Sequence, residues 1–479
     1  MLTHVPMKHT SIRTLLASLA LALALTGAGS ANNITVSNVT LTDLDTVGDT
    51  VNVKFDVTWE NSWRITDPPA NWDAAWIFVK FQTGDLLWKH ANLDTNNGNH
   101  TAPVGGTINT GLTGTRGAGV FLYRSALGTG TASFTNVKLK WKYGTDGVPD
   151  NAKITVDVTA IEMVYIPQGA FQVGGGSTTT NRLGGTAGAP FQITGAGPVP
   201  CGTALGALSR WTTSQQLSGS TTYLDVPTTF PNGFNAFYCM KYEPSNGERS
   251  AAANKSGPAG TVTPPDQAYS NGSEYYLGAE LAYLDWAGLR PMTEFEYEKA
   301  CRGPATPVAG EYAWGNAIIA SAPYTLANVG TASEVIATGY RDDAGNVWNA
   351  NTRHGTSLRP SRVGIFAIPS YSGSASPRIQ SGAGYYGVLD LTGNVWDFVV
   401  RWTFPASGTS FIGEHGDGYI SGGAHNVAEW GLVSVGTQSG GYIKGGAWNT
   451  SATGQVSGNY TPTAFTSPAH TARGVRTAP

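Results

Sequence analysis

Charge is scarce in this 479-residue chain: Asp, Glu, Lys and Arg together make up 13%, and the formal net charge is -3. So weak a field excludes the long-range attraction that draws proteins to nucleic acid or anionic lipid, and nucleic acid is set aside as a partner. Cysteine is rare too, with Cys201, Cys239 and Cys301 alone and no C-x-x-C pair among them. That spacing excludes a zinc ribbon or finger. The eight histidines are scattered. No H-E-x-x-H or H-x-x-x-H-x-E run sets metal ligands on one helical face, and no G-x-S-x-G elbow presents a nucleophile. One long apolar run exists, "LLASLALALAL" from Leu15 to Leu25. It is short for a bilayer span, and no transmembrane segment is expected once it is removed.

That run follows Lys8 and Arg13 and leads into "TGAGSA", ending at Ser30 and Ala31. Basic flank, short apolar core and small-residue exit predict a signal peptide over residues 1–31 and a secreted, periplasmic or cell-surface location. No cysteine follows the run directly, so no lipid anchor is expected there. In an exported chain three cysteines predict one disulfide and one leftover thiol, with the pairing open.

What the chain has in abundance is glycine, 62 residues, with 10% aromatics and 41% hydrophobic residues. This composition suits a turn-rich β protein, and the length predicts two domains. Over residues 32–160 apolar and polar residues alternate. Val51, Val53, Phe55 and Val57 share one face, and "AAWIFVKF", "GVFLYRS", "NVKLKWKY" and "KITVDVTAIEMVYI" repeat the pattern. The spacing predicts an all-β sandwich of seven or more strands. A loop-like stretch from Gly174 to about Pro231 follows. Two helices are then expected, one from an N-cap at Ser273 to a C-cap at Gly288, one from the Thr293–Glu296 capping box to Gly303. Glu294, Glu296 and Glu298 read as the solvated face of that second helix. Residues 161–479 are therefore α+β and poor in regular structure.

Two clusters have residue types that could hold an ion. In "DLTGNVWDF", Asp390 and Asp397 bracket a Thr-Gly-Asn turn, and carbonyls between two carboxylates form an oxygen cage suited to Ca²⁺. His415, His425, Glu414, Asp417 and Glu429 flank a glycine-rich loop, where satisfied loop groups outweigh a metal site.

Seven segments taken in order carry a resemblance: "EMVYIPQGAFQVG" (Glu162 to Gly174), "FYCMKYEPSNGE" (Phe237 to Glu248), "LRPMTEFEYEKACRG" (Leu289 to Gly303), "YAWGN" (Tyr312 to Asn316), "YGVLDLTGNVWDF" (Tyr386 to Phe398), "IKGGAWN" (Ile443 to Asn449) and "RGVR" (Arg473 to Arg476). From about Ile161 onward the chain resembles the formylglycine-generating enzyme, or sulfatase-modifying factor, family. The resemblance implies a C-type-lectin-like fold for residues 161–479. It also implies a calcium site made by the side chains of Asp390 and Asp397 with the backbone carbonyls of Gly393 and Val395, and it makes Asn328 a ligand of a second calcium site. Enzymes of the family bind copper through two cysteines just after a Gly-Gly-Ser motif, here Gly445-Gly446-Ala447. Thr450 and Gln455 fall at those positions, neither replaces a soft thiolate, and no cysteine follows Cys301. Copper is not expected, nor is formylglycine formation.

The tail then reads as a surface. Trp448, Asn449, Thr450, Ser451, Thr453, Gln455, Asn459 and Tyr460 combine aromatic faces with neutral donors and acceptors, as adaptable recognition surfaces do. The resulting expectation is a calcium-binding, exported pseudoenzyme that binds a glycan or extracellular protein through this segment. A structural subunit of a cell-surface or envelope assembly, prone to self-association, is the first alternative; a metal-dependent oxidase of the sulfatase-modifying-factor type is the second.

Overall fold

The structure is a computed structural model, and it describes residues 33–175, 182–211, 224–255, 277–331, 333–355, 359–368, 370–402, 411–421, 423–430, 441–451, 454, 456 and 470–479. The expected signal peptide, the Ser273 cap and part of the 174–231 stretch lie outside the described residues. Two strands, β1 (Thr35–Asp45) and β2 (Thr50–Arg64), open the fold. They are followed by β3 (Asp73–Gln82), β4 (Trp88–His90), β5 (Gly106–Thr113), β6 (Arg116–Arg124), β7 (Gly128–Trp141) and β8 (Thr155–Ile166). Further along come β9 (Phe237–Met240), helices α1 (Asn246–Asn254) and α2 (Leu277–Trp286), β10 (Arg290–Pro291) and α3 (Glu294–Arg302). Strands β11 (Trp396–Val400), β12 (Gly441–Lys444), β13 (His470–Thr471) and β14 (Gly474–Thr477) complete the elements that position the site.

Strand β3 explains the architecture. Its sequence "DAAWIFVKFQ" is nearly continuous in apolar residues because both of its faces are buried. Ala75, Ile77, Val79 and Phe81 meet β2 and β7 residues such as Val53, Phe55, Val137 and Leu139. Ala74, Trp76 and Phe78 point the other way, into a core shared with Tyr238 of β9 and Leu281 and Leu284 of α2. The three-stranded sheet β1-β2-β7 thus covers one face of an eight-stranded antiparallel sheet ordered β10-β14-β9-β8-β3-β6-β5, with β4 attached to β3. Trp76 fits between the layers because Gly119 lies beneath it; a Cβ there would come within 2.7 Å of the indole.

The large sheet runs without interruption from the N-terminal strands into the C-terminal region. The boundary expected between residues 160 and 161 falls inside β8, which pairs with β3 through Val164 and with β9 from Met163 to Ile166. One strand long enough to serve both neighbours joins the two regions.

Helix α3 has the expected capping box between Thr293 and Glu296 and ends at Gly303, φ 62°. Its glutamates correct the solvated reading. Glu294, Glu296 and Glu298 are all buried, and each meets a cation: Arg210 with Glu294, Arg290 with Glu296 at 2.6 Å, Lys444 with Glu298 at 3.1 Å. Arg210 and Lys444 come from distant segments, whereas Arg290 lies just before the helix and Arg302, one turn on from Glu298, also pairs with it at 3.3 Å. The disulfide expectation is also corrected, since all three cysteines are free. Cys239 and Cys301 sit in one apolar cluster of the C-terminal region and Cys201 lies outside it, so burial rather than bridging accounts for them. Burial pushes the Cys201 and Cys239 thiols up to about 12, which leaves them as inert thiols at neutral pH.

Candidate functional site

The Asp390–Asp397 turn and the Gly445–Thr450 segment, separate in sequence, are stitched together. Gly393 N donates to Gly445 O at 2.8 Å, and Trp448 N donates to Asn394 O at 2.8 Å. Asp390, Gly393 and Asn394 all adopt left-handed backbone, φ 58°, 86° and 57°. At Gly393 only glycine fits, because a Cβ would meet the Val347 side chain at 2.4 Å and the Trp348 carbonyl at 2.9 Å. A turn of this shape lets two carboxylates at its ends approach the same interior.

Both are buried. Asp397 Oδ1 accepts from Arg473 Nε at 3.2 Å, while Asp397 Oδ2 is buried with no hydrogen-bond partner. Asp390 Oδ2 accepts from Gly364 N at 2.6 Å. A third carboxylate closes the group: Glu243 Oε1 accepts from Val395 N at 3.0 Å and Oε2 from Asn394 Nδ2 at 2.5 Å. Burial pushes Asp397 up to about 6 against the pull of Arg473, and it also raises Asp390 against the Gly364 N–H. Glu243 is driven well above the usual carboxylate range by burial, and then by Asp390 and Asp397. Three buried carboxylates set against two guanidiniums, Arg473 and, near Asp390, Arg362, leave this interior one positive charge short.

That shortage and the bare Asp397 oxygen fit a hard, oxygen-seeking cation. Asp390 and Asp397, with the carbonyls of Gly393 and Val395, are the groups that would hold Ca²⁺. Among the described residues no three His, Cys, Asp or Glu side chains stand close enough together to hold a metal ion. Sequence reading missed Glu243 and Arg473 as parts of this interior. Glu243 lies 151 residues from Asn394, and its only trace was membership in one of the seven collinear segments.

The other expected positions separate. Asn328 is exposed and engaged in its own turn, its Nδ2 donating to Ser333 O at 3.1 Å and its carbonyl accepting from Thr331 Oγ1 at 2.8 Å. His415 Nε2 accepts from Thr477 N at 3.0 Å, and Glu429 accepts from the N–H groups of Ile412 and Glu414. Asp417 Oδ1 accepts from the Tyr419 N–H, and His425 packs against Trp430 with its Nδ1 buried and without a hydrogen-bond partner, so these side chains do not converge on one point.

At the position where a copper thiolate would stand, Thr450 Oγ1 accepts from Ala447 N at 2.9 Å and donates to Ala447 O at 3.0 Å. The hydroxyl is spent on closing its own turn. Beside it, the gap lined by Tyr312, Asn349, Thr392, Gly445, Ala447 and Thr450 has a volume of about 10 Å³, at the lower limit for a single water. This donor set does not fit copper. Trp448 is not an open aromatic face: only 8% exposed, it packs with Trp348, Trp396 and Ile443, and Arg353 lies 5.5 Å over its ring. Asn449 and Ser451 are exposed. Thr453, Gln455, Asn459 and Tyr460 lie outside the described residues.

Helices packed on an antiparallel sheet, with a glycine-pinned carboxylate turn beside the Gly445-Gly446 pair, define the C-terminal region. Residues 276–478 match the family model of the sulfatase-modifying factor enzyme 1-like domain, and this region of the chain carries that domain. The match opens at α2, so β1 to β9 and α1 lie outside it. Among curated proteins, the hercynine oxygenase of Mycolicibacterium thermoresistibile is 32% identical over 136 residues, which is 28% of this chain and 21% of that protein. The chain thus spans about a fifth of the length of the relative it matches.

Proposed function

We propose that this is an exported, non-catalytic member of the sulfatase-modifying factor group, in which an N-terminal β-sandwich is fused to a calcium-stabilised, C-type-lectin-like domain that binds a glycan or protein. The observation that carries the proposal is Thr450: where the enzymes of the family are expected to hold a thiolate, its hydroxyl is committed to Ala447 on both sides. The three thiols of the chain lie elsewhere and are held protonated by burial. Recognition falls to the exposed groups beside this turn, Asn449 and Ser451, with the tail beyond them. Two measurements test the reading. Incubated with copper, oxygen and a cysteine-containing sulfatase peptide, the purified protein should leave the peptide mass unchanged. On a glycan array and in pull-downs from the exterior of cells, binding should drop in an Asn449→Ala, Ser451→Ala double variant; binding indifferent to that change removes the tail from the proposal.

The similarity to a hercynine oxygenase favours a second reading, a metal-dependent oxidase acting from the same region. Metal analysis of the purified chain separates the two. Stoichiometric iron or copper with oxygen uptake supports the oxidase, and calcium alone supports the binding protein.

A further inference from the structure

Helix α1 opens onto a cavity of about 420 Å³, within the range of small-molecule sites. Its floor includes Glu243, Asn394, Val395 and Thr471, all buried, and its mouth includes Gly247, Gly330 and Thr331, all exposed. Between floor and mouth stand three guanidinium groups, those of Arg249, Arg359 and Arg362, against the two carboxylates of Glu243 and Glu334. Each arginine is anchored from behind. Arg249 Nη2 donates to Glu280 at 3.1 Å and to Thr471 Oγ1 at 2.8 Å. Arg359 grips Glu334, and Arg362 Nε donates to the Glu334 carbonyl at 2.7 Å. Anchored guanidiniums lose little rotamer freedom when a ligand arrives, and their planar forks suit carboxylate and sulfate oxygens. The first residues of α1, at the cavity wall, add the positive end of a helix dipole.

Positive groups drawn from two chain segments, α1 and residues 359–362, therefore converge on one chamber of ligand size, in a protein where charge is otherwise sparse. The cluster also has no part in the Asn449 and Ser451 surface. We infer that this cavity binds a small molecule, up to about monosaccharide size, through a carboxylate or sulfate group held by Arg359 and Arg362. Neutral parts of the ligand lie against Pro244, Pro360 and Val363.

Calorimetric titration of the full chain at constant ionic strength tests this, with galacturonate, galactose 6-sulfate, inorganic sulfate and neutral galactose as probes. Saturable binding of at least one acidic probe is expected, with galactose silent. Binding by inorganic sulfate as tight as that of the sugars assigns the site to the free ion, whereas tighter binding of an acidic sugar assigns it to the larger molecule. Arg362→Gln and Arg359→Gln should each weaken binding by about tenfold or more, as loss of a charge-assisted contact does. Because either change could disturb the Glu334 neighbourhood, Thr331→Asp at the exposed mouth provides a second variant that adds a repelling charge without touching the core. Circular dichroism confirms that each variant is folded. An absence of acidic-probe binding at ten-millimolar concentration overturns the inference. So does equal binding of galactose and galacturonate, or acidic-probe binding unchanged in folded Thr331→Asp. The Asn449→Ala, Ser451→Ala variant should bind these probes like the parent, so failure here is distinct from failure of the tail surface.

Discussion

The two faces of the long sheet are held by different physics. Toward β1-β2-β7, strands bury Val53, Phe55, Ile77, Val79, Val120 and Leu139 against one another, and the Lys89–Asp85 and Lys138–Asp43 pairs of this region stay at the surface. Behind the C-terminal half, Arg210–Glu294, Arg290–Glu296, Lys444–Glu298 and Arg473–Asp397 are buried pairs with side-chain exposures from 0 to 7%. A sheet face with regular alternation can close on hydrocarbon alone, whereas a region poor in long strands and helices leaves irregular backbone to be satisfied. Glu294 shows how the ion pairs serve that need, accepting from Trp402 N at 2.7 Å as well as from Arg210. At the seam, Lys241 donates to Asp73 of β3 and Glu162 of β8, so the two regions are joined by a buried ionic contact.

The comparison can be broken from either side. On the apolar side, Phe55→Ala empties a fully buried site and should cost about 3–5 kcal/mol in urea unfolding, with the loss independent of pH. On the charged side, Arg473→Met strands Asp397 beside Asp390 and Glu243 and should cost about 3–5 kcal/mol. Added calcium should narrow the stability gap between Arg473→Met and the parent while leaving the Phe55→Ala gap unchanged, because that variant keeps the turn intact; an Arg473→Met gap that calcium does not narrow would show that calcium does not act beside Asp397. Calcium itself should stabilise the parent by about 2.7 kcal/mol at a hundredfold excess over its Kd. Asp390→Ala should abolish that increment, read as the melting temperature with and without chelator.

The smallest expected effect concerns Asp285, which burial pushes up to about 7 although its oxygens accept from Asp417 N and Asn426 N. A carboxyl raised in the folded state holds its proton more firmly there than in the unfolded chain. Its contribution is therefore complete below pH ~4 and is lost as pH rises through about 7. Asp285→Asn should flatten that part of the stability profile while costing about 1 kcal/mol for one altered hydrogen bond. A profile of unchanged slope would move the pH dependence to other groups.

Much of this was legible beforehand, and the reasons differ by residue. The alternation in Val51–Val57 and the run "AAWIFVKF" announced strands, and the Thr293–Glu296 box announced α3, because strand and capping signals are local in sequence. Helix α1 was not anticipated; "NGERSAAAN" has no strong apolar stripe. The solvated reading of Glu294, Glu296 and Glu298 failed because the fold buries the whole helix: Arg210 and Lys444, partners of Glu294 and Glu298, lie 84 and 146 residues away, and the near partners Arg290 and Arg302 gave no sign of burial. Trp448 looked like surface in a polar tail, yet the neighbouring Gly445 and Gly446, at φ 91° and 81°, turn the chain inward and carry the indole into the core.

By itself the sequence determined the strand pattern, the domain family of residues 276–478 and the absence of cysteine at the place where Thr450 stands. Each follows from residue type and near-neighbour spacing. Only the tertiary structure decided that β8 serves two regions at once, that Glu243 joins Asp390 and Asp397, and that three arginines ring one cavity. Those facts depend on which distant segments share an interior, where the cost of burying a charge selects its partner without regard to distance along the chain.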